Sequence, residues 1–158
     1  MTVFGSSFYK NHHHSFTPTM LTIAGSDSCG GAGIQADIKT ATELGVFASS
    51  CITAITSQNT QGVHLVELVS ERSLETQLEC VCEDIDFSAV KIGMTGSYEN
   101  VSLIQRTIMK YHLPHVVFDP VMAASSGHPL SKGDLCECFK QRLIPLCDLI
   151  TPNLPEVD

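Results

Sequence analysis

The chain has 158 residues, of which 43% are apolar and 16% are charged, a composition typical of one globular domain and not of a disordered chain. Its net charge of −8, with only nine Lys and Arg residues, argues against a nucleic-acid partner, which would need a basic surface. No apolar run is long enough to cross a bilayer, and the N-terminus does not resemble a secretory signal. We therefore predict a cytoplasmic protein whose seven cysteines are reduced and mostly buried.

The first 19 residues differ in pattern from the rest of the chain. Residues 1–19 are rich in turn-forming residues and show no periodicity, so we predict a flexible N-terminal tail followed by an ordered domain at 20–158. His12, His13 and His14 form a run within this tail that is able to bind a metal ion adventitiously. Such a run is more often without function, and the sequence does not assign it a role.

From residue 20 onward, short apolar segments alternate with segments of helical periodicity. In chain order, we predict a strand at 21–24, a helix at 34–44, strands at 48–56 and 63–69, a helix at 70–84 with Ser73 as a local cap, a strand at Ala89–Ile92, a helix at Tyr98–Tyr111, a strand at Val116–Phe118, a helix at 135–143 and a strand at Leu149–Ile150. Short strands separated by helices are typical of βαβ units. The sequence therefore predicts an α/β fold with a mostly parallel central sheet flanked by helices.

Small and polar residues follow the ends of five predicted strands. The segments lie at 25–33, 58–60, 93–94, 119–122 and 153–156. The carboxyl ends of parallel strands share one edge of a sheet, where ligands bind, so we expect the five segments to lie together. For any single segment, turn chemistry or helix capping is the better explanation. The prediction of a site depends on the combination.

The segment at 25–33 is the richest in glycine. Gly30, Gly31 and Gly33 permit close backbone approach and positive φ, and they precede a helix whose free N–H groups are expected to bind an anion or a polar ring edge. The glycines follow neither the Walker A order nor the Rossmann order. From the residues alone, Asp27 is equally well a turn residue, and Asp37 is equally well a surface residue of the helix.

Five stretches are specific in combination: Leu-Thr-Ile-Ala-Gly-Ser-Asp-Ser-Cys-Gly-Gly-Ala-Gly at 21–33, Thr-Ser-Gln-Asn-Thr at 56–60, Val-Lys-Ile-Gly-Met at 90–94, Val-Phe-Asp-Pro-Val-Met at 117–122 and Thr-Pro-Asn-Leu-Pro-Glu at 151–156. In this order they resemble the hydroxymethylpyrimidine/phosphomethylpyrimidine kinases of thiamine biosynthesis, which are ribokinase-like. The resemblance covers nearly all of 20–158. It implies ATP-dependent phosphorylation of 4-amino-5-hydroxymethyl-2-methylpyrimidine, with the monophosphate as a further substrate that the sequence leaves open.

The resemblance also implies which residues bind the pyrimidine. Gln58 would hydrogen-bond the ring, because an amide is able to pair with a ring nitrogen and an exocyclic amine together. Asp37 is a further candidate for a substrate contact. The pocket would be lined by Gly25, Ala32, Met94 and Val121. Ordinary core packing also explains the last two, and the two interpretations do not exclude each other.

A magnesium–ATP site is implied at the other end of the resemblance. Asn153 and Glu156 match an N-x-x-E motif, in which Glu156 would organise Mg²⁺ through water. Asp119 resembles a second acidic residue near that ion. As an isolated four-residue pattern the motif is weak, and its position after the other segments gives it weight.

One part of the family pattern is absent from the sequence. Members have a Gly-Thr-Gly turn followed by Asp or Cys, which forms an anion hole beside a catalytic base, and these 158 residues contain no such turn. Since charge stabilisation is a large part of phosphoryl transfer, we expect the chain alone to be inactive or nearly so. We also expect an apolar sheet edge and face to be exposed.

Several alternatives stay open at this point. The chain is explained equally by a fragment or splice product, by one half of a split enzyme, or by a non-catalytic pyrimidine-binding remnant. A related pyridoxal kinase is the rival within the superfamily, and instability of the isolated chain is a further alternative. Because members often form dimers, a homodimer is also left open.

Overall fold

The computed structural model describes residues 17–122 and 135–153. These residues form a six-stranded sheet in the order β3-β2-β1-β4-β5-β6. The strands are β1 Thr19–Asp27, β2 Phe47–Asn59, β3 Gly62–Leu68, β4 Ala89–Ile92, β5 Val116–Phe118 and β6 Leu149–Ile150. The helices are α1 Gly33–Glu43, α2 Glu71–Cys82, α3 Tyr98–Tyr111 and α4 Cys136–Cys138. The predicted α/β fold with a mostly parallel sheet is confirmed. The histidine run at 12–14 lies outside the described residues.

The central strand β1 organises both faces of the sheet. It pairs in parallel with β2 on one side and with β4 on the other. Leu21 and Ile23 are fully buried in the core that includes α2 and α3, whereas Thr22 donates a hydrogen bond to Asp37 of α1. This alternation follows from the two-residue repeat of a strand. It places α1 on one face and α2 with α3 on the other, so both faces of the parallel sheet are covered there.

Strand β3 is antiparallel to β2 and forms one edge of the described sheet. The two strands are joined by a tight turn, in which the Asn59 side-chain oxygen accepts the N–H of Gln61 at 2.9 Å and of Gly62 at 3.2 Å. A connection this short joins only antiparallel neighbours. The hairpin also extends β2 beyond its predicted end at residue 56. Gln58 therefore lies inside a strand and not in a loop.

The N-terminal cap of helix α2 lies at Ser70, before the predicted cap at Ser73. Ser70 has extended backbone and its side-chain oxygen accepts the N–H of Ser73 at 3.2 Å. That hydrogen bond satisfies an N–H group that has no partner within the helix. Ser70 is therefore the cap, and the prediction that Ser73 has this role is wrong. Helix α3 and strands β4, β5 and β6 have the predicted bounds.

The helix predicted at 135–143 is divided into three kinds of turn. After α4 come a π-helical turn at Phe139–Leu143 and a 3₁₀ turn at Ile144–Leu146. Leu135, Phe139 and Leu143 are all buried, and the Phe139 ring packs edge-on against Phe118 with 4.9 Å between ring centroids. Residues four apart share one face of an α-helix as well, and the three buried side chains remain on one face through the change of turn. The regular helix that the sequence predicts is therefore interrupted at buried residues.

The seven cysteines are free thiols in the structure. Only Cys51 and Cys138 are buried, so the prediction that most of them are buried is wrong. Burial raises the pKa of Cys51 to about 12, which keeps this thiol protonated and unreactive at neutral pH. Across residues 17–122 and 135–153, no helix has both the length and the apolar character that crossing a bilayer would require.

Candidate functional site

A small cavity opens at the carboxyl ends of β1, β2 and β4. Its volume is about 100 Å³. That is close to the scale of a single small ring, since a cavity of about 150 Å³ holds benzene. Five of the six predicted substrate contacts meet there, and Asp37 is the exception. The cavity is lined by Ala24, Gly25, Ser26, Asp27, Ala32, Gly33, Thr56, Gln58, Lys91, Met94 and Val121.

Asp27 holds the glycine-rich loop together. Its carboxylate accepts the backbone N–H of Cys29 at 2.8 Å, and of Gly31 and Ala32 at 2.9 Å each. Asp27 is almost fully buried, and the N–H groups compensate its charge. Among the described residues, no cationic side chain pairs with it. Asp27 thereby accepts the N–H of Ala32, the N-cap of α1, while its other two N–H partners belong to the loop before the helix. Its role in the described structure is to fix the loop.

Glycine at position 33 allows this loop to fold back against β1. The φ angle of Gly33 is 57°, and a Cβ atom there would lie 2.2 Å from the carbonyl oxygen of Gly25. Any other residue would collide with backbone that cannot move aside. Positive φ was predicted for this loop, and it is confirmed at Gly30 and Gly33. The loop can therefore close one wall of the cavity.

Gln58 reaches the cavity from β2, where its backbone is held by Ser28. The Ser28 hydroxyl accepts the N–H of Gln58 and donates to its carbonyl oxygen, each at 2.8 Å. The Gln58 side-chain oxygen lies 3.5 Å from the Thr56 hydroxyl, the outer limit of a hydrogen bond. The amide therefore has donor and acceptor capacity that the described residues do not use. Because Gln58 lines the cavity, this capacity is available to a ligand there.

Met94 and Val121 form the apolar part of the lining. Met94 is buried and packs in a small cluster with Ala54, and Val121 is a partly buried member of the same cluster. The Met94 carbonyl oxygen accepts a hydrogen bond from the Thr53 hydroxyl at 2.6 Å, which fixes the backbone after β4. Gly25 packs so closely that a Cβ atom there would lie 2.9 Å from the Met94 sulfur. Core packing and cavity lining are thus combined in these side chains.

Asp37 lies beneath the cavity and contacts it through Lys91. Its carboxylate accepts the Thr22 hydroxyl at 2.6 Å and pairs with the Lys91 ammonium at 3.2 Å. Lys91 lines the cavity, although the sequence interpretation did not include it. The available signal was a charged residue inside the otherwise apolar strand Ala89–Ile92, because buried lysines are rare unless they are paired. The interpretation of Asp37 as a surface residue is wrong.

The residues predicted to organise magnesium lie along the same edge of the sheet. Asp119 follows β5 and Asn153 comes soon after β6, and these strands are parallel neighbours. Oxygen ligands suit Mg²⁺, which retains several waters and needs few protein groups, so both side chains fit the expected chemistry. Glu156 lies outside the described residues. Within those that are described, no group of three or more His, Cys, Asp or Glu side chains is placed to hold a metal ion.

A larger and more open depression lies elsewhere, between β2 and α2. Its volume is about 720 Å³, and it is lined by Ser50, Arg72, Ser73, Thr76, Gln77, Cys80 and Val81. None of the predicted site residues belongs to it. The smaller cavity is the better candidate, because it lies at the carboxyl edge of a parallel sheet and brings polar groups together around an enclosed space.

Comparison with known proteins identifies the family. The profile of the phosphomethylpyrimidine kinases matches residues 27–158. The hydroxymethylpyrimidine/phosphomethylpyrimidine kinase of Bacillus subtilis is 48% identical over 138 residues, which are 87% of this chain and 51% of that protein. The crystal structure of the Clostridium difficile phosphomethylpyrimidine kinase superposes with a TM-score of 0.82 at 49% identity, covering 89% of this chain and 61% of that chain.

The same fold occurs in pyridoxal kinases at lower identity. The Staphylococcus aureus pyridoxal kinase, solved with AMP-PCP and pyridoxal, has a TM-score of 0.78 and 33% identity, covering 90% of this chain and 50% of that chain. The chain spans between 25% and 52% of the length of the first curated relatives it matches. Sequence, fold and the residues around the cavity agree, and the chain belongs to the phosphomethylpyrimidine kinase family.

Proposed function

We propose that this chain provides the pyrimidine-binding part of an ATP-dependent kinase of thiamine biosynthesis. Its substrate would be 4-amino-5-hydroxymethyl-2-methylpyrimidine, followed by the monophosphate of that compound. The observation that carries the proposal is the ring-sized cavity in which Gly25, Ala32, Gln58, Met94 and Val121 meet. The names of the relatives, which are kinases of this pyrimidine, support it.

The cavity offers what recognition of an aminopyrimidine requires. The Gln58 amide has one acceptor oxygen and two N–H donors, so it is able to pair with an exocyclic amine and the adjacent ring nitrogen. Met94 and Val121 supply apolar contacts to the ring faces. A small apolar cavity with a few directed polar groups is the usual form of a small-molecule site. The proposed partner is therefore a small molecule.

Phosphoryl transfer would need ATP and Mg²⁺ at the neighbouring part of the same edge. Mg²⁺, when bound, neutralises charge on the phosphates. Asp119 and Asn153 would contribute oxygen ligands, directly or through water, with Glu156 as the third group of the proposed site. Val121 lines the pyrimidine cavity two residues after Asp119, so the two sites would be adjacent. A cytoplasmic location also belongs to the proposal, and the seven free thiols support it.

The proposal separates binding from turnover. Titration of the purified 158-residue chain with hydroxymethylpyrimidine in a calorimeter should show binding, and pyridoxal should compete weakly. With Mg²⁺ and ATP added, we expect little or no phosphorylation, because the sequence lacks the Gly-Thr-Gly turn with its base. Stronger binding of pyridoxal would favour the pyridoxal kinase reading, which the shared fold supports at lower identity. Robust turnover would contradict the expected inactivity.

A second step distinguishes a kinase portion from a pure binding module. The C-terminal part of the Bacillus subtilis relative can be supplied as a separate chain, with the full relative as a positive control. Restored phosphorylation would support a kinase portion that needs a complement. Pyrimidine binding without any restoration would support a binding module instead.

A further inference from the structure

Lys91 is the cationic residue among those that line the cavity. Its side chain is 24% exposed, and its ammonium carries three N–H donors. Within the described residues, that ammonium donates a hydrogen bond to the Asp37 carboxylate at 3.2 Å. Donor capacity therefore remains on a positively charged group at the surface of a ring-sized cavity, where an unused donor is costly unless a ligand or water satisfies it.

The surroundings hold this ammonium in place. Asp37 is fixed in turn by the Thr22 hydroxyl at 2.6 Å, and Thr22 is the register partner of Lys91 on the neighbouring strand. The other carboxylate at the cavity, that of Asp27, accepts three backbone N–H groups, and among the described residues the ion pair of Lys91 is with Asp37. Asp37 is thus a positioning residue for the ammonium.

Glycine at position 93 leaves the space that the ammonium occupies. A Cβ atom on Gly93 would lie 2.9 Å from the Lys91 nitrogen and 3.1 Å from the Cβ atom of Ala24. A side chain there would push the ammonium away from the end of β1. The Lys-Ile-Gly sequence at 91–93 therefore directs the lysine along the strand towards the cavity.

Sheet order places Lys91 across the cavity from Gln58. Strand β1 lies between β2, which carries Gln58, and β4, which carries Lys91. A ring held by Gln58 through its amino group and the adjacent ring nitrogen would turn its opposite edge towards β4. In 4-amino-5-hydroxymethyl-2-methylpyrimidine that opposite edge carries the second ring nitrogen, N1, which is a hydrogen-bond acceptor.

We infer that Lys91 donates a hydrogen bond to N1 of the pyrimidine and so distinguishes this ring from one that lacks a nitrogen at that position. The inference rests on the proposed function, since it takes the pyrimidine as the ligand. It assigns Lys91 to ligand recognition and Asp37 to positioning Lys91, whereas the sequence interpretation gave Asp37 a direct substrate contact.

A cycle of two ligands and two proteins tests the assignment. The ligands are hydroxymethylpyrimidine and its 1-deaza analogue, in which N1 is replaced by C–H. The proteins are the 158-residue chain and its Lys91→Met variant, with affinities measured by calorimetry. The ratio of the affinity for the pyrimidine to the affinity for the 1-deaza analogue should be about 10- to 100-fold larger for the unaltered chain than for the variant. This factor corresponds to one hydrogen bond that involves a charged group. If Lys91 only supported the fold, its substitution would lower the affinity for both ligands equally.

The controls address charge and folding. Lys110→Met removes an exposed lysine on α3 by the same substitution and should leave the ligand preference unchanged. Lys91→Met leaves Asp37 without its cation, so the double variant Lys91→Met with Asp37→Asn removes both charges and serves if the single variant does not fold. The double variant should lose the preference for the pyrimidine over its 1-deaza analogue, as the single Lys91 variant does.

The outcomes separate this inference from the proposed function. Tight pyrimidine binding with an unchanged preference in the Lys91 variants would overturn the inference and leave the pyrimidine site standing. Absence of pyrimidine binding by the unaltered chain would overturn both. Loss of the preference in the Lys91 variants, with the Lys110 variant unchanged, would establish the contact.

Discussion

The backbone and the side chain of Gln58 have separate roles. Its backbone N–H and carbonyl are held by the Ser28 hydroxyl, which ties β2 to the glycine-rich loop. Its side-chain amide lines the cavity. Because the backbone contacts do not depend on the amide, truncation of the side chain should affect ligand binding far more than folding.

We therefore expect Gln58→Ala to reduce the affinity for hydroxymethylpyrimidine by about 5- to 150-fold, which corresponds to about 1–3 kcal/mol for two lost hydrogen bonds. The measurement is calorimetric titration, combined with thermal unfolding followed by circular dichroism. Gln61→Ala is the matched control, because Gln61 is exposed in the turn between β2 and β3. Equal loss of affinity in both variants, or none in either, would contradict the role of the amide.

At the level of single residues, sequence patterns located the cavity but not all of its chemistry. The resemblance supplied Gly25, Ala32, Gln58, Met94 and Val121, all of which line it. It could not reveal that Asp27 binds three backbone N–H groups, because these groups converge only when the loop is folded.

Lys91 was missed for a related reason. Its pairing with Asp37 spans 54 positions in the chain and depends on the register between β1 and β4. No local pattern contains that information. Residues that act through long-range packing are therefore the ones that a motif leaves out.

At the level of elements, the cap of α2 is a local feature that can be tested by itself. The Ser70 side chain accepts the Ser73 N–H, whereas the Ser73 hydroxyl accepts a hydrogen bond from the Ser70 hydroxyl, at 2.8 Å on the exposed surface. We expect Ser70→Ala to lower the free energy of unfolding by about 1 kcal/mol, the usual value of a cap. Urea unfolding monitored by circular dichroism measures it.

The comparison variant is Ser73→Ala, which keeps the capping oxygen of Ser70. It should change the free energy of unfolding by no more than about 0.5 kcal/mol, as is usual for surface substitutions. A larger loss for Ser73→Ala than for Ser70→Ala would restore the original prediction that Ser73 is the cap.

Elements were predicted well where their own sequence determines them. Strands β4, β5 and β6 and helix α3 have the predicted bounds, because an apolar run or a helical stripe is interrupted at each end by a turn residue. The exceptions are β1, which spans Thr19–Asp27 where 21–24 was predicted, the end of β2, and the region of α4. Pairing with β2 extends β1 at both ends, a hairpin partner extends β2, and Phe139 packs on Phe118 where the helical turn changes after α4. All three involve neighbours that lie elsewhere in the chain or across the sheet.

At the level of the whole molecule, the sheet order brings the site together. The strands that end at the cavity are β2, β1 and β4, while β5 and β6 continue the same edge towards the proposed nucleotide site. The ordering of motifs along the chain predicted one shared edge, since parallel strands place their carboxyl ends on the same side. It did not predict which strands are adjacent, because that depends on the crossover connections.

The same sheet order leaves β6 paired on one side only within the described residues, where its partner is β5. Leu149 on this strand is 54% exposed, so an apolar side chain lies at this edge of the described sheet. An unpaired edge with an exposed apolar residue favours association with another strand, whereas a lysine on an edge strand opposes it. Leu149→Lys should therefore weaken self-association of the 158-residue chain by at least about tenfold. Sedimentation velocity over a concentration series measures this.

Leu44→Lys is the control, because Leu44 is 74% exposed beyond the end of α1 and away from the sheet edge. A wild-type chain that stays monomeric at every concentration, or equal effects of the two substitutions, would show that β6 is not the associating edge.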